Sequence, residues 1–233
     1  MTVQYQLAAD NGLNALGTQN RATLTGSSLN YHLSIDAACA TPWKGATVLP
    51  TPTGTFTIAK NSTASATQTF YGCIPAGQTV LPPEGTYTDT VTMTFATGKA
   101  QGQSVFTGGS IPVAIVAPST CVNTAAPADL AFNYTAFSAT PVLTSTSFGV
   151  RCTNSLIYTI SLDAIDGVVA GLNYTLGLNT VGTGGGNPLV IVGTGVPQTL
   201  FINGSMPAGQ AGACNTSAAP CAAAQVRTLT VTY

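Results

Sequence analysis

Residues 88–95 read Thr88-Asp89-Thr90-Val91-Thr92-Met93-Thr94-Phe95, with threonine at every even position and Asp89, Val91, Met93 and Phe95 at the odd ones. Successive side chains of a strand point to opposite faces, so this stretch predicts a β-strand with a wet threonine face and a dry face. Thr, Val and aromatic residues suit such a pleated surface. The pattern returns at the other end of the chain, where Val226, Thr228, Thr230 and Thr232 oppose Arg227, Leu229, Val231 and Tyr233.

Working outward, the two stretches belong to a longer repeat. Tyr5-Gln6-Leu7 recurs as Tyr158-Thr159-Ile160, and Leu29-Asn30-Tyr31-His32-Leu33 as Leu172-Asn173-Tyr174-Thr175-Leu176. Ile74-Pro75-Ala76-Gly77-Gln78 recurs as Met206-Pro207-Ala208-Gly209-Gln210, and Val91-Thr92-Met93-Thr94-Phe95 as Leu229-Thr230-Val231-Thr232-Tyr233. Four blocks in one order mean two copies of one unit. After Phe95 the first copy continues into a further strand-like run, Ile111-Pro112-Val113-Ala114-Ile115-Val116, with no counterpart after Tyr233. A sheet unit without its closing strand has an open edge that invites a partner, here lined by Leu229, Val231 and Tyr233. Conversely, Cys121 and the strand-like stretch ahead of Tyr158 have no counterpart ahead of Tyr5, so the first copy is expected to lack its opening strand or strands.

The chain has 233 residues, of which 45% are hydrophobic and 6% charged, with a formal net charge of −1. An ordinary soluble domain carries about 25% charged residues, so this surface must be largely neutral. No basic cluster offers a footprint for nucleic acid, and none is expected as a partner. No apolar run reaches the roughly 20 residues of a membrane helix. The six cysteines show no C-x-x-C spacing and the single histidine is His32, so no metal site or cofactor is expected. An even cysteine count on such a chain predicts disulfides and an oxidising compartment, hence a secreted protein. No signal-peptide pattern is read at Met1, which agrees with a first copy that starts late.

Turn clusters such as Thr51-Pro52-Thr53-Gly54 and Gly182 to Pro188 separate the short strands, as in β sandwiches or barrels. No amphipathic helix is read; Ala218 to Ala224 contains Pro220 and predicts a loop. The boundary is placed near Ala117-Pro118-Ser119-Thr120, giving domains 1–117 and 118–233.

These residues resemble the spore coat protein U domain family, the pilin-type domain of archaic chaperone–usher pili. The second copy carries the resemblance in Cys121, Leu130-Ala131-Phe132-Asn133-Tyr134, Val150-Arg151-Cys152, Tyr158 to Leu162, Leu172-Asn173-Tyr174, Pro207 to Gln210 and Thr228 to Tyr233. The first copy carries it in Leu29-Asn30-Tyr31, Asp36-Ala37-Ala38, Thr41 to Gly45, Ile74 to Gln78 and Gly85 to Val91. The resemblance implies an all-β protein of two tandem immunoglobulin-like Greek-key β sandwiches, the second lacking its final strand. It implies a pilus subunit, with two copies resembling a tip adhesin, that assembles by donor-strand complementation and mediates surface attachment and biofilm formation. Its partners would be a periplasmic pilus chaperone, the outer-membrane usher, a neighbouring pilin subunit that donates the strand, and an abiotic or host surface. It would pass through the periplasm to the cell surface. The same reading pairs Cys121 with Cys152, Cys214 with Cys221 and Cys39 with Cys73; spacing alone leaves the connectivity open. Alternatives are a non-tip structural subunit of a coat or fibre, and a carbohydrate-binding β-sandwich module using Trp43 or Tyr87.

Two Pro-bounded stretches put apolar residues at candidate adhesive loop tips: Val48, Leu49 and Pro50, and Val80, Leu81, Pro82 and Pro83. Stiffened loops lose little entropy on contact with a greasy surface, although the same residues can fold back over the core. Trp43 matches a core position of the family, and His32 is read as exposed or hydrogen-bonded. Asp163 and Asp166 flank a turn. Gly182-Thr183-Gly184-Gly185-Gly186 lacks a phosphate-loop pattern and a following helix. No nucleophile, base and orienter come together in the pattern, so no catalysis is expected.

Overall fold

Short alternating segments broken by Gly, Pro and Asn fold here as antiparallel strands, with no helix among the described residues. The computed structural model describes residues 2–43, 53–57, 59–63, 65, 67–78, 82–97, 104–213 and 221–233. They fall into two units, Met1–Pro118 and Ser119–Tyr233.

The first unit contains β1 (Thr2–Ala9), β2 (Asn20–Leu24), β3 (Ser27–Ser34), β4 (Pro42–Trp43), β5 (Thr53–Thr57), β6 (Tyr71–Cys73), β7 (Gly85–Thr97) and β8 (Ser104–Ala117). β1 lies between β5 and β7; β3 pairs with β2, β4 and β6. The threonine-alternating stretch lies within β7, and its dry face is dry in fact: Tyr87 and Val91 are fully buried and Asp89 is 5% exposed. Tyr87 and Val91 join Ala9, Ala22, Leu29, Tyr31, Leu33 and Trp43 in one core.

The second unit contains β9 (Cys121–Ala125), β10 (Val142–Cys152), β11 (Ile157–Leu162), β12 (Asp166–Val169), β13 (Leu172–Asn179), β14 (Leu189–Val192), β15 (Gln198–Met206) and β16 (Leu229–Thr232). One sheet runs β12-β13-β15-β10-β9 and the other β14-β11-β16. Phe148, Val150, Leu178, Leu200 and Ile202 of the larger sheet share a core with Tyr158, Ile160 and Leu162 of β11. Burying one face of each sheet against the other is what makes this a sandwich. The β12–β13 hairpin turns through Ala170 and Gly171, both at positive φ, as a two-residue turn between twisted strands requires.

β16 is shorter than its alternation predicts. Residues 221–228 are not strand, Val226 is 90% exposed, and Tyr233 lies past the strand end and is 58% exposed. Just before β16, Gln225 and Arg227 instead turn their side chains to Tyr174.

Candidate functional site

The two counterpart strands differ in how many neighbours satisfy their backbones. β7 pairs with β8 from Gly85↔Ala117 to Thr97↔Ser104. Its opposite edge pairs with β1 from Met93 to Thr97 and touches β2 at Thr23↔Thr88. β8 is therefore the outer strand there, and it carries Pro112, which lacks a donor and discourages further pairing. β16 pairs with β11 alone, from Thr159↔Thr232 to Leu162↔Leu229, and its other edge has no strand among the described residues. No proline guards it. Leu229 and Val231 pack on the core of the second unit yet remain half-buried, whereas Val91 under β8 is fully buried. Of the expected accepting residues, these two lie on the core side of β16, and Tyr233 lies beyond it.

The strand registers of the copies are offset from their sequence match. Ala9 pairs with Met93, but its match Leu162 pairs with Leu229, two positions before Val231, the match of Met93. Asp10 N donates to Thr92 O, while Asp163 N donates to Thr228 O, the same displacement. A slip of two keeps every side chain on its face, so a threonine alternation cannot reveal it.

The polar partners of the two matched tyrosines also differ. In the first unit Tyr31 Oη donates to Asp89 Oδ2 at 2.7 Å and Asn14 N donates to Asp89 Oδ1 at 3.0 Å. Burial, reinforced by the Asp89 hydrogen bond, pushes the Tyr31 phenol well above the ordinary range. In the second unit Tyr174 Oη donates to Gln225 Oε1 at 2.6 Å and accepts from Arg227 Nε at 2.8 Å. The Arg227 guanidinium lies 5.5 Å from the Tyr174 ring centroid, and its Nη2 donates to Asp166 O at 2.6 Å. Sequence matching sets Asp89 against Arg227; strand register sets it against Gln225. Tyr174 meets both.

Disulfides join Cys39 to Cys73 and Cys121 to Cys152, closing sequence separations of 34 and 31. The second ties β9 to β10, where Thr153 N also donates to Thr120 O at 2.9 Å. Cys221 is disulfide-bonded; Cys214 lies outside the described residues. Beside Cys39, the Asp36 carboxylate accepts from Ala40 N at 3.0 Å and Thr41 N at 2.7 Å. These bonds, the Ala40 amide foremost, hold its pKa down at about 2.

Of the expected adhesive loops, Val48, Leu49, Pro50, Val80 and Leu81 lie outside the described residues. Pro82 and Pro83 are half-buried, and Pro83 O accepts from Tyr87 Oη at 3.0 Å. Trp43 is 1% exposed, with Phe70 at 5.9 Å between ring centroids. Trp43 and Tyr87 therefore present no surface for a sugar to stack on. His32 Nε2 lies 3.4 Å from Cys39 O.

Two residues that pattern reading missed stand out. Leu13 and Leu16 are 82% and 65% exposed, in a connection that runs from Asp10 to Gln19 where the second copy has only Asp163 to Ile165. The loop is pinned: Leu13 N donates to Thr90 O, Asn14 Nδ2 to Thr88 O and Gly12 N to Asp10 Oδ1. Its extra length over the second copy was the available signal.

The Gly182–Gly186 stretch folds over the outer face of the larger sheet. Asn203, 8% exposed, holds it by donating to Val181 O at 3.0 Å and Gly184 O at 2.8 Å. A shallow groove of about 410 Å³ runs between this loop and Leu143, with no charged residue in its lining.

Residues 1–94 match the family model of the Spore Coat Protein U domain. No curated protein matches the chain. Among solved structures, a chain of the CsuC–CsuE chaperone–tip adhesion subunit pre-assembly complex from the archaic chaperone-usher Csu pili of Acinetobacter baumannii is similar at 14% identity and a TM-score of 0.49, over 100% of this chain and 85% of that one.

Proposed function

We propose that this chain, which carries a Spore Coat Protein U domain, is a secreted subunit of a chaperone–usher pilus, placed at the fibre tip and used for attachment and biofilm formation. The observation that carries the reading is the edge of β16 left unpaired among the described residues, opposite in kind to the doubly paired β7. An incoming strand would satisfy that edge and cover Leu229 and Val231, with alternate side chains entering the core. Four buried apolar side chains would contribute about 6–12 kcal/mol before ordering costs, comparable to the stability of a domain. A periplasmic chaperone would fill the edge first and a neighbouring subunit afterwards, with the usher between them. The first unit, with β8 in place, would face the surface. A surface with few charges and the projecting Leu13 and Leu16 support contact with an apolar abiotic or host surface. The function is binding and assembly, without turnover.

The test is self-complementation. A copy of residues 109–117 is joined after Tyr233 through a flexible Gly/Ser linker. The expected outcome is slowed amide exchange in β16 and raised stability of the second unit, with the chain monomeric. Unchanged exchange in β16 would sink the reading.

A further inference from the structure

Resting on that reading, we propose that the strand completing the second unit runs antiparallel to β16, is apolar at alternate positions, and carries a carboxylate that pairs with Arg227. β8 supplies the pattern: Ile111, Val113, Ile115 and Ala117 pack on the first core, while Pro112, Ala114 and Val116 face outward. What differs between the copies is the polar group this strand must cover.

In the first unit Asp89 is satisfied from within, by Tyr31 Oη and Asn14 N, and β8 sets Val113 opposite it. An apolar strand suffices there. In the second unit Arg227 lies just before β16, half-buried, with Tyr174 Oη and Asp166 O as its acceptors. A guanidinium has five N–H donors in a planar fork, and these two acceptors take one bond each. Among the described residues no carboxylate pairs with it. A strand laid along β16 strips water from it, and a buried charge without a partner is costly. The fork fits a carboxylate with two parallel hydrogen bonds. By sequence match the carboxylate takes the place of Val113; by strand register it takes the place of Ile111, the next inward position.

Three synthetic peptides of residues 109–117 test this on the full chain: unchanged, with Ile111→Glu, and with Val113→Glu. Binding is measured by calorimetry, with the full chain also carrying Arg227→Gln or Arg227→Lys. One Glu peptide is expected to bind about tenfold tighter than the unchanged peptide, the effect of one charge-assisted pair. R227Q should abolish that preference and R227K should retain part of it. Near-ultraviolet circular dichroism checks that each variant is folded. Equal binding of all three peptides, or a preference untouched by R227Q, overturns the carboxylate while leaving strand acceptance intact. Binding of none overturns strand acceptance itself.

Discussion

Tyr31 Oη donates a 2.7 Å hydrogen bond to Asp89 Oδ2 inside the first unit, joining β3 to β7 over the intervening β2. Tyr31 is 2% exposed and Asp89 5%, so the phenol replaces water that the carboxylate has lost. Tyr31→Phe leaves that oxygen without its donor. The expected loss is about 1.5–3 kcal/mol, the range for a hydrogen bond to a charged group, read from urea unfolding. Tyr31→Phe should cost more than Tyr71→Phe at a 39% exposed site.

Burial raises the pKa of Tyr87 and Tyr158, and burial with the Asp89 bond raises that of Tyr31. A phenol whose folded pKa exceeds its unfolded value stabilises fully below the unfolded value of 10.0 and loses that contribution as pH rises beyond it. Stability should therefore fall above about pH 10. Ultraviolet titration should show these three phenols ionising only with unfolding.

Asp36 behaves in the opposite sense. Its folded pKa of about 2 lies below the ordinary carboxylate value of 3.8, so its contribution is present above 3.8 and is lost as pH falls toward 2. Carboxyl carbon NMR should show Asp36 ionised down to about pH 2. Asp36→Asn should flatten the acid limb of stability between these values.

Removing the disulfide that ties β9 to β10, with Cys121→Ala and Cys152→Ala together, opens a loop with a sequence separation of 31. The chain-entropy model puts the loss at about 3–4 kcal/mol. Calorimetry should show the transition of the second unit falling while that of the first stays in place.

The glycine loop of the second unit depends on one side chain and one backbone approach. Asn203→Ala removes the donors to Val181 O and Gly184 O and should speed exchange of the Gly186 amide, which donates to Leu178 O. Gly185 has φ +122, and a Cβ there would collide with the Leu178 carbonyl. Gly185→Ala should destabilise by about 1–3 kcal/mol, as strained backbone does. Gly186→Ala, where a Cβ meets nothing within 4 Å, is the control and should be milder.

Leu13→Ser with Leu16→Ser tests the projecting loop. Both side chains are exposed, so stability should change by less than about 0.5 kcal/mol. Retention on a hydrophobic chromatography surface should drop. Unaltered retention would remove this loop from the attachment reading.

How far the sequence can be read depends on which contacts are local. Alternation through Thr88–Phe95 exposed the strand and its dry face, because side-chain direction follows from backbone pleat alone. The ordered blocks from Tyr5 to Tyr233 exposed two copies and their boundary region, since a repeat needs no three-dimensional knowledge. Trp43 was legible as core through its match to a core position of the family it resembles. Leu13 and Leu16 were not, because exposure of an inserted loop depends on which backbone groups pin it. Nor was the two-residue register offset, which leaves facing and composition unchanged. Residues 226–228 looked like strand because their alternation continued, but the Arg227 side chain found Tyr174 across the sandwich.

The sequence by itself determined an all-β chain carrying two ordered copies of one set of blocks, with cysteines that form disulfides. Those follow from periodicity, composition and order along the chain. Only the tertiary structure decided that, among the described residues, β7 has neighbours on both edges and β16 on one, and that opposite charges, Asp89 and Arg227, face the same tyrosine of the repeat. Strand pairing and charge burial are long-range contacts, and no local pattern records which backbone or which acceptor lies across a core.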